Sequence, residues 1–150
     1  VQGHAVGAGF QLALACDLRV VAENAQFAMR EPALGLVPDL GGTQPLVQLV
    51  GYARALEICA TGRWVDAGEA AEIGLATVVV PVDDLADATR DLCDAVASAP
   101  HGALTGTKRL LHEAASGSYQ AQLAAERREQ AARLRELASL GETAAGDGRP

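Results

Sequence analysis

Gly3-His4-Ala5-Val6-Gly7-Ala8-Gly9-Phe10-Gln11-Leu12-Ala13-Leu14-Ala15-Cys16-Asp17 is the most informative stretch of this chain. A loop of small residues leads straight into an apolar helical run. The first N–H groups of a helix lack intrahelical partners, and small side chains leave them uncovered. Such bare amides and the positive end of the helix dipole point the same way, an arrangement suited to an oxyanion. A plainer role, a tight turn with close helix packing, uses the same glycines. The segments further along the chain decide between the two.

After Asp17 come Leu18-Arg19-Val20-Val21-Ala22, then Gln26-Phe27-Ala28-Met29 and Arg30-Glu31-Pro32. Leu34-Gly35-Leu36-Val37-Pro38-Asp39-Leu40-Gly41-Gly42-Thr43 follows, and then Val50-Gly51-Tyr52-Ala53-Arg54-Ala55-Leu56-Glu57. Thr61-Gly62-Arg63, Ala67-Gly68-Glu69-Ala70 and Gly74-Leu75 complete the set. In this order and spacing the segments resemble the crotonase superfamily, the enoyl-CoA hydratase/isomerase family of acyl-CoA enzymes, over roughly residues 1 to 112. The resemblance implies an α/β fold, a spiral of β-β-α units followed by an all-helical C-terminal part. It implies an acyl-CoA thioester substrate, with coenzyme A part of that substrate and no separate cofactor. It further implies a thioester enolate held by two backbone amides, and assembly as a homotrimer or a dimer of trimers.

Composition limits the other classes. A net charge of -7 and 3% aromatic residues argue against nucleic acid, which needs a basic surface and stacking platforms. No apolar run approaches the roughly 20 residues of a membrane-spanning helix. Cys16, Cys59 and Cys93 are widely spaced within apolar patterns, and are expected to be reduced core residues of a cytoplasmic protein. No His, Cys or Asp grouping has metal-ligand spacing, so no metal is expected. Residue 1 is Val, already inside a motif, so the chain is expected to be a C-terminal portion, incomplete at its N-terminus.

The pattern predicts a strand ending at residues 1–3, a loop, and a helix over residues 9–16. Strands are expected at residues 18–22, 26–29 and 77–80, and short helices at 43–49 and 53–60. Asp66 is expected to cap a further helix, with Glu69 as its capping-box partner. Helices are predicted at 83–98, 105–115 and 119–140. Residues 1–82 thus read as the C-terminal part of the α/β core, 83–140 as a helical oligomerisation region and 141–150 as a flexible tail.

The family pattern assigns one oxyanion amide to the middle of a glycine run, here Ala8, with Gly7 and Gly9 as substrate-binding neighbours. The second amide would lie N-terminal to Val1. Family members that hydrate a double bond use two Glu residues on either side of a water. The resemblance places the first of these at Gln11, whose amide orients water but shuttles no proton, and the second at Glu31. Apolar neighbours would strengthen Glu31 as a base, whereas a surface ion pair with Arg30 would make it structural. Asp39 matches a catalytic Asp of the dienoyl-CoA isomerase branch, and equally suits an N-cap for the helix beginning near Gly42. Lys108 is either a contact for CoA phosphates or part of a solvated helix face. His4 has no visible orienting partner, and Tyr52 and Trp64 suit the packing of a helix corner.

These positions favour a double-bond shift in an enoyl-CoA, with Glu31 as acid and base, over 2-enoyl-CoA hydration with Gln11 orienting water. A catalytically inactive helical assembly or binding module is the alternative outside the enzymes. Without a second oxyanion amide, which is worth about 3 kcal/mol of transition-state stabilisation, the chain alone is expected to be poorly active.

Overall fold

The protein is described by a computed structural model over residues 1–146, with side chains to residue 139. In order the chain forms β1 (His4–Val6), α1 (Ala8–Ala15), β2 (Val20–Ala22) and β3 (Gln26–Ala28). A 3-10 turn at Pro32–Leu34 precedes α2 (Thr43–Val50) and α3 (Tyr52–Thr61), followed by β4 (Val65–Asp66), α4 (Ala67–Glu72) and β5 (Val78–Val80). A second 3-10 turn, Val82–Asp84, leads into α5 (Leu85–Ala97), α6 (His101–Ala114) and α7 (Tyr119–Gly146). The chain divides into two compact units, Val1–Leu92 and a second that begins at Cys93, whereas the change in sequence pattern falls after residue 82.

In the first unit β1 runs parallel to β3, with Val6 opposite Ala28, and β3 is antiparallel to β4, with Phe27 opposite Val65. A separate parallel pair joins β2 to β5, with Val20 opposite Val78 and Ala22 opposite Val80. All three residues of β2 are buried, which is why its sequence is a continuous apolar run and not an alternation. Phe10 and Phe27 meet at 5.3 Å between ring centroids, and Met29, Leu46, Ile58, Val65 and Leu75 complete the core around them.

Several expectations need correction. The strand forms at His4–Val6 instead of residues 1–3, because pairing with β3 overrides the weak strand preference of His-Ala-Val. β4, only two residues long, has no sequence pattern of its own and exists through its pairing with β3. Asp66 caps α4 as expected, its Oδ1 accepting from the Glu69 N–H at 2.8 Å. The reciprocal bond of a capping box is absent among the described residues, because the Glu69 carboxylate is engaged by Arg63 at 2.6 and 2.7 Å. Arg63 also forks onto Glu57 at 2.6 and 2.9 Å, joining α3 to α4. Hydrogen bonding to Arg63 lowers the Glu57 pKa. The resulting stability is present above the ordinary Glu range and disappears as pH falls through the depressed value.

All three cysteines are free thiols; Cys59 is half-buried against the core, whereas Cys16 and Cys93 are exposed, so the expected core placement does not hold for those two. Arg19 is a structural residue that no sequence pattern marks. Its side chain is buried and donates to the carbonyls of Leu75 at 2.6 Å, Cys16 at 2.6 Å and Ala13 at 3.3 Å. Two of those acceptors lie at the C-terminal end of α1, where a cation satisfies orphan carbonyls and complements the dipole.

In the second unit one ion pair, Arg109–Glu129, joins α6 to α7, and Glu129 belongs to a network that continues along α7. Glu129 meets Arg109 at 3.1 Å and Arg133 at 3.3 Å, and Arg133 continues to Glu136 at 2.6 Å. The α7 backbone continues to Gly146, past the expected end at Leu140, and residues 147–150 of the expected tail lie outside the described residues. No described helix is long and apolar enough to cross a membrane.

Candidate active site

Gly7 makes the change from strand to helix in a single residue. Its N–H donates to the Ala28 carbonyl at 2.9 Å, extending the β1–β3 pairing. Its own carbonyl accepts the Gln11 N–H at 2.9 Å, the first bond of α1. This requires φ 52 and ψ -116, the mirror image of ordinary extended backbone and open to glycine alone at low cost. No side chain caps the helix among the described residues, and Ala8 and Gly9 are exposed. The amides of Ala8 and Gly9 are therefore presented at an open helix N-terminus, as the glycine loop implies. Phe10, fully buried, anchors the first turn from below.

Gln11 projects from the same turn and is only 1% exposed. Its Oε1 accepts from the Leu40 N–H at 2.8 Å and the Gly42 N–H at 3.3 Å. Its Nε2 donates to Glu31 Oε1 at 2.6 Å. Gly42 lies so close that an added Cβ would stand 2.7 Å from Gln11 Cγ, which explains a glycine there.

Glu31 sits at the start of the 3-10 turn. Its carbonyl accepts from the amides of Leu34 at 2.9 Å and Leu36 at 3.0 Å, and Pro32 stiffens the following bond. The ion pair with Arg30 does not form, because Arg30 donates instead to the Gly62 carbonyl at 2.7 Å. The carboxylate rests against Gly7, where an added Cβ would lie 3.3 Å from Oε1. It therefore stands one residue from the Ala8 amide. Glu31 Oε2 is buried and has no hydrogen-bond partner among the described residues. Burial raises the Cys59 thiol pKa, and the nearby charge of Glu31 adds to the effect. A half-buried thiol on α3 thus lies within reach of the carboxylate's charge.

The structure brings together Gly7, Ala8, Gly9, Gln11 and Glu31. Asp39 is exposed in the irregular segment before α2. It does not cap that helix, whose N-cap is Gly42 with no side-chain cap. The adjacent Leu40 amide makes the contact to Gln11. Lys108 is exposed on α6, in the other unit from Glu31. His4 pairs its ring with Trp64 at 5.3 Å, and Tyr52 is exposed. The Leu40 and Gly42 amides and the Cys59 thiol were not evident beforehand. Gly41-Gly42 was the one available signal, since a glycine pair marks a close approach of backbone.

The family model for enoyl-CoA hydratase/isomerase matches residues 1–139. An enoyl-CoA hydratase candidate of Thermobifida fusca YX, crystallised with CoA, is 52% identical over 91% of this chain and 53% of its own, with a TM-score of 0.90. Its acetoacetyl-CoA complex aligns at 51% identity and a TM-score of 0.88, over 89% of this chain and 52% of its own. The Mycobacterium tuberculosis protein named "Probable enoyl-CoA hydratase echA8" is 37% identical over 128 residues, 85% of this chain and 50% of its own. The chain spans about half the length of the curated relatives it matches. An α/β core with an uncapped helix N-terminus and a helical C-terminal part agrees with these likenesses, and the chain belongs to the enoyl-CoA hydratase/isomerase family, the crotonase superfamily.

Proposed function

We propose that this chain carries the acid–base half of an enoyl-CoA site, in which Glu31 moves a proton of a thioester whose carbonyl oxygen rests on the Ala8 amide. One observation carries this reading: Glu31 Oε2 is buried and unpaired beside the open N-terminus of α1, while Oε1 is already bonded. In a double-bond shift, Oε2 takes a proton from the α-carbon. The C–H electron pair forms the enolate, whose oxygen the helix amides stabilise. The electrons then return through the chain as the γ-carbon receives the proton, and the conjugated 2-enoyl thioester results. A single carboxylate completes the cycle and regains its starting form, in keeping with an amide at position 11. The chemistry needs no separate cofactor, because coenzyme A travels with the substrate.

Hydration of a 2-enoyl-CoA is the second reading, favoured by the hydratase names of the relatives. Gln11 then has one amide hydrogen left for a water, since its oxygen and its other hydrogen are engaged. The test is to give the intact gene product a 3-enoyl-CoA and, separately, a 2-enoyl-CoA. Isomerisation with negligible hydration is the expected result. Robust hydration without isomerisation would overturn the preferred reading in favour of the second.

Assembly is proposed to be trimeric, or a dimer of trimers, through the helical unit, which exposes Leu111, Leu134 and Leu137. Sedimentation of the intact product at three or six chain masses is the expected outcome. A monomer at micromolar concentration would refute it.

A further inference from the structure

We infer that Gln11 is a positioning residue, which clamps Glu31 with its donor and the Leu40–Gly42 backbone with its acceptor, so that Oε2 alone carries the proton. The inference rests on Glu31 being the base. Three details support it. The amide orientation is forced: two backbone N–H groups face one end of Gln11, so that end is the oxygen and the nitrogen faces Glu31. The bonds run in series, since the Leu40 and Gly42 amides polarise the Gln11 amide, which becomes a stronger donor to the carboxylate. The stem is close-packed, with Gly42 leaving no room for a side chain against Gln11 Cγ. Gln11 is therefore not a loosely held residue awaiting a water.

The groups against Glu31 are the Gln11 amide from α1 and the Gly7 backbone, and the Cys59 thiol on α3 is near enough to sense its charge. The Gln11 amide supplies a neutral donor, which holds Oε1 without adding a charge. A carboxylate in its place could still accept from Leu40 and Gly42, but would have no donor for Glu31 unless protonated. Two carboxylates at the 2.6 Å separation seen here share one proton, and their ionisations become coupled.

The experiment compares wild type, Gln11→Met and Gln11→Glu in the intact gene product, with kcat, KM, melting temperature and the pH dependence of kcat. Gln11→Met fills the space without the bonds. Its kcat is expected to fall about 100-fold, the usual consequence of a reacting group misplaced by an ångström, with KM changed by less than about threefold. With no titratable proton at position 11, wild-type kcat is expected to follow a single limb with pH. For Gln11→Glu a bell is expected instead, because activity needs the pair to retain exactly one shared proton and falls as that proton leaves. Wild-type kcat in Gln11→Met, or an unchanged single limb in Gln11→Glu, overturns the proposal. Should Gln11→Met melt below the assay temperature, the isosteric Gln11→Glu profile decides. Glu31→Gln separates the two levels. If it stays active, the base assignment itself fails. If it is inactive while both Gln11 variants behave as wild type, only the positioning role fails.

Discussion

Glu31→Gln is expected to lower kcat/KM of the intact gene product by about 1,000-fold, roughly 4 kcal/mol of transition-state stabilisation. The substitution is isosteric, and its remaining carbonyl oxygen can still accept the Gln11 Nε2–H that now ends on Oε1 at 2.6 Å. What it loses is the atom proposed to take the proton. Oε2, buried and without a partner, becomes an amide nitrogen that takes no proton. On the proposed reading a thioester is held by the helix amides and by contacts remote from the carboxylate, so KM is expected to change little. Deuterium exchange at the α-carbon of a saturated acyl-CoA, followed by NMR, reads the proton-transfer step without regard to which product forms. Retention of more than a tenth of the wild-type exchange rate would place the base elsewhere. Asp39, exposed in the segment before α2, would be the first residue to examine.

Gly7→Ala is expected to cost about 3 kcal/mol of stability, from placing an L-residue in a mirror-image backbone region with a further crowding contribution. The conformation at φ 52 and ψ -116 cannot relax independently, because the Gly7 N–H and carbonyl are bonded on opposite sides, to Ala28 and Gln11. The new methyl would also lie 3.3 Å from Glu31 Oε1, tighter than most such contacts, so the carboxylate must shift. Both effects act on one residue, and activity should fall together with the melting temperature. Gly9→Ala serves as the control. Its added methyl meets nothing within 4 Å, and the residue lies inside a regular helix, so its melting temperature should stay near wild type. Equal melting temperatures for Gly7→Ala and wild type would show that this turn is not the strained element it resembles.

The local parts of the candidate site were legible. An open helix N-terminus needs only a glycine turn and an apolar helix directly after it, and both stand in one run from Gly3 to Asp17. Asp66 and its helix were equally plain, since an N-cap acts across three residues. Asp39 shows where local logic fails. Its position before a helix suits a cap, yet α2 begins at Thr43 with Gly42 at the N-cap and no side-chain cap, while Gln11 holds the neighbouring amides of Leu40 and Gly42.

The sequence by itself determined the family, the α/β order with helices toward the C-terminus, and the glycine turn that opens a helix end. Those properties follow from residue type and short-range spacing, which a one-dimensional string records. Tertiary structure alone decided that Gln11 faces Glu31, twenty residues away, and that Arg30 turns to Gly62 instead of pairing with Glu31. It alone decided that His4–Val6 is a strand and that Arg19 closes the far end of α1. A hydrogen bond forms wherever folding brings a donor within about 3 Å of an acceptor. The pairing of donors and acceptors distant in sequence is therefore settled only when the whole chain has packed.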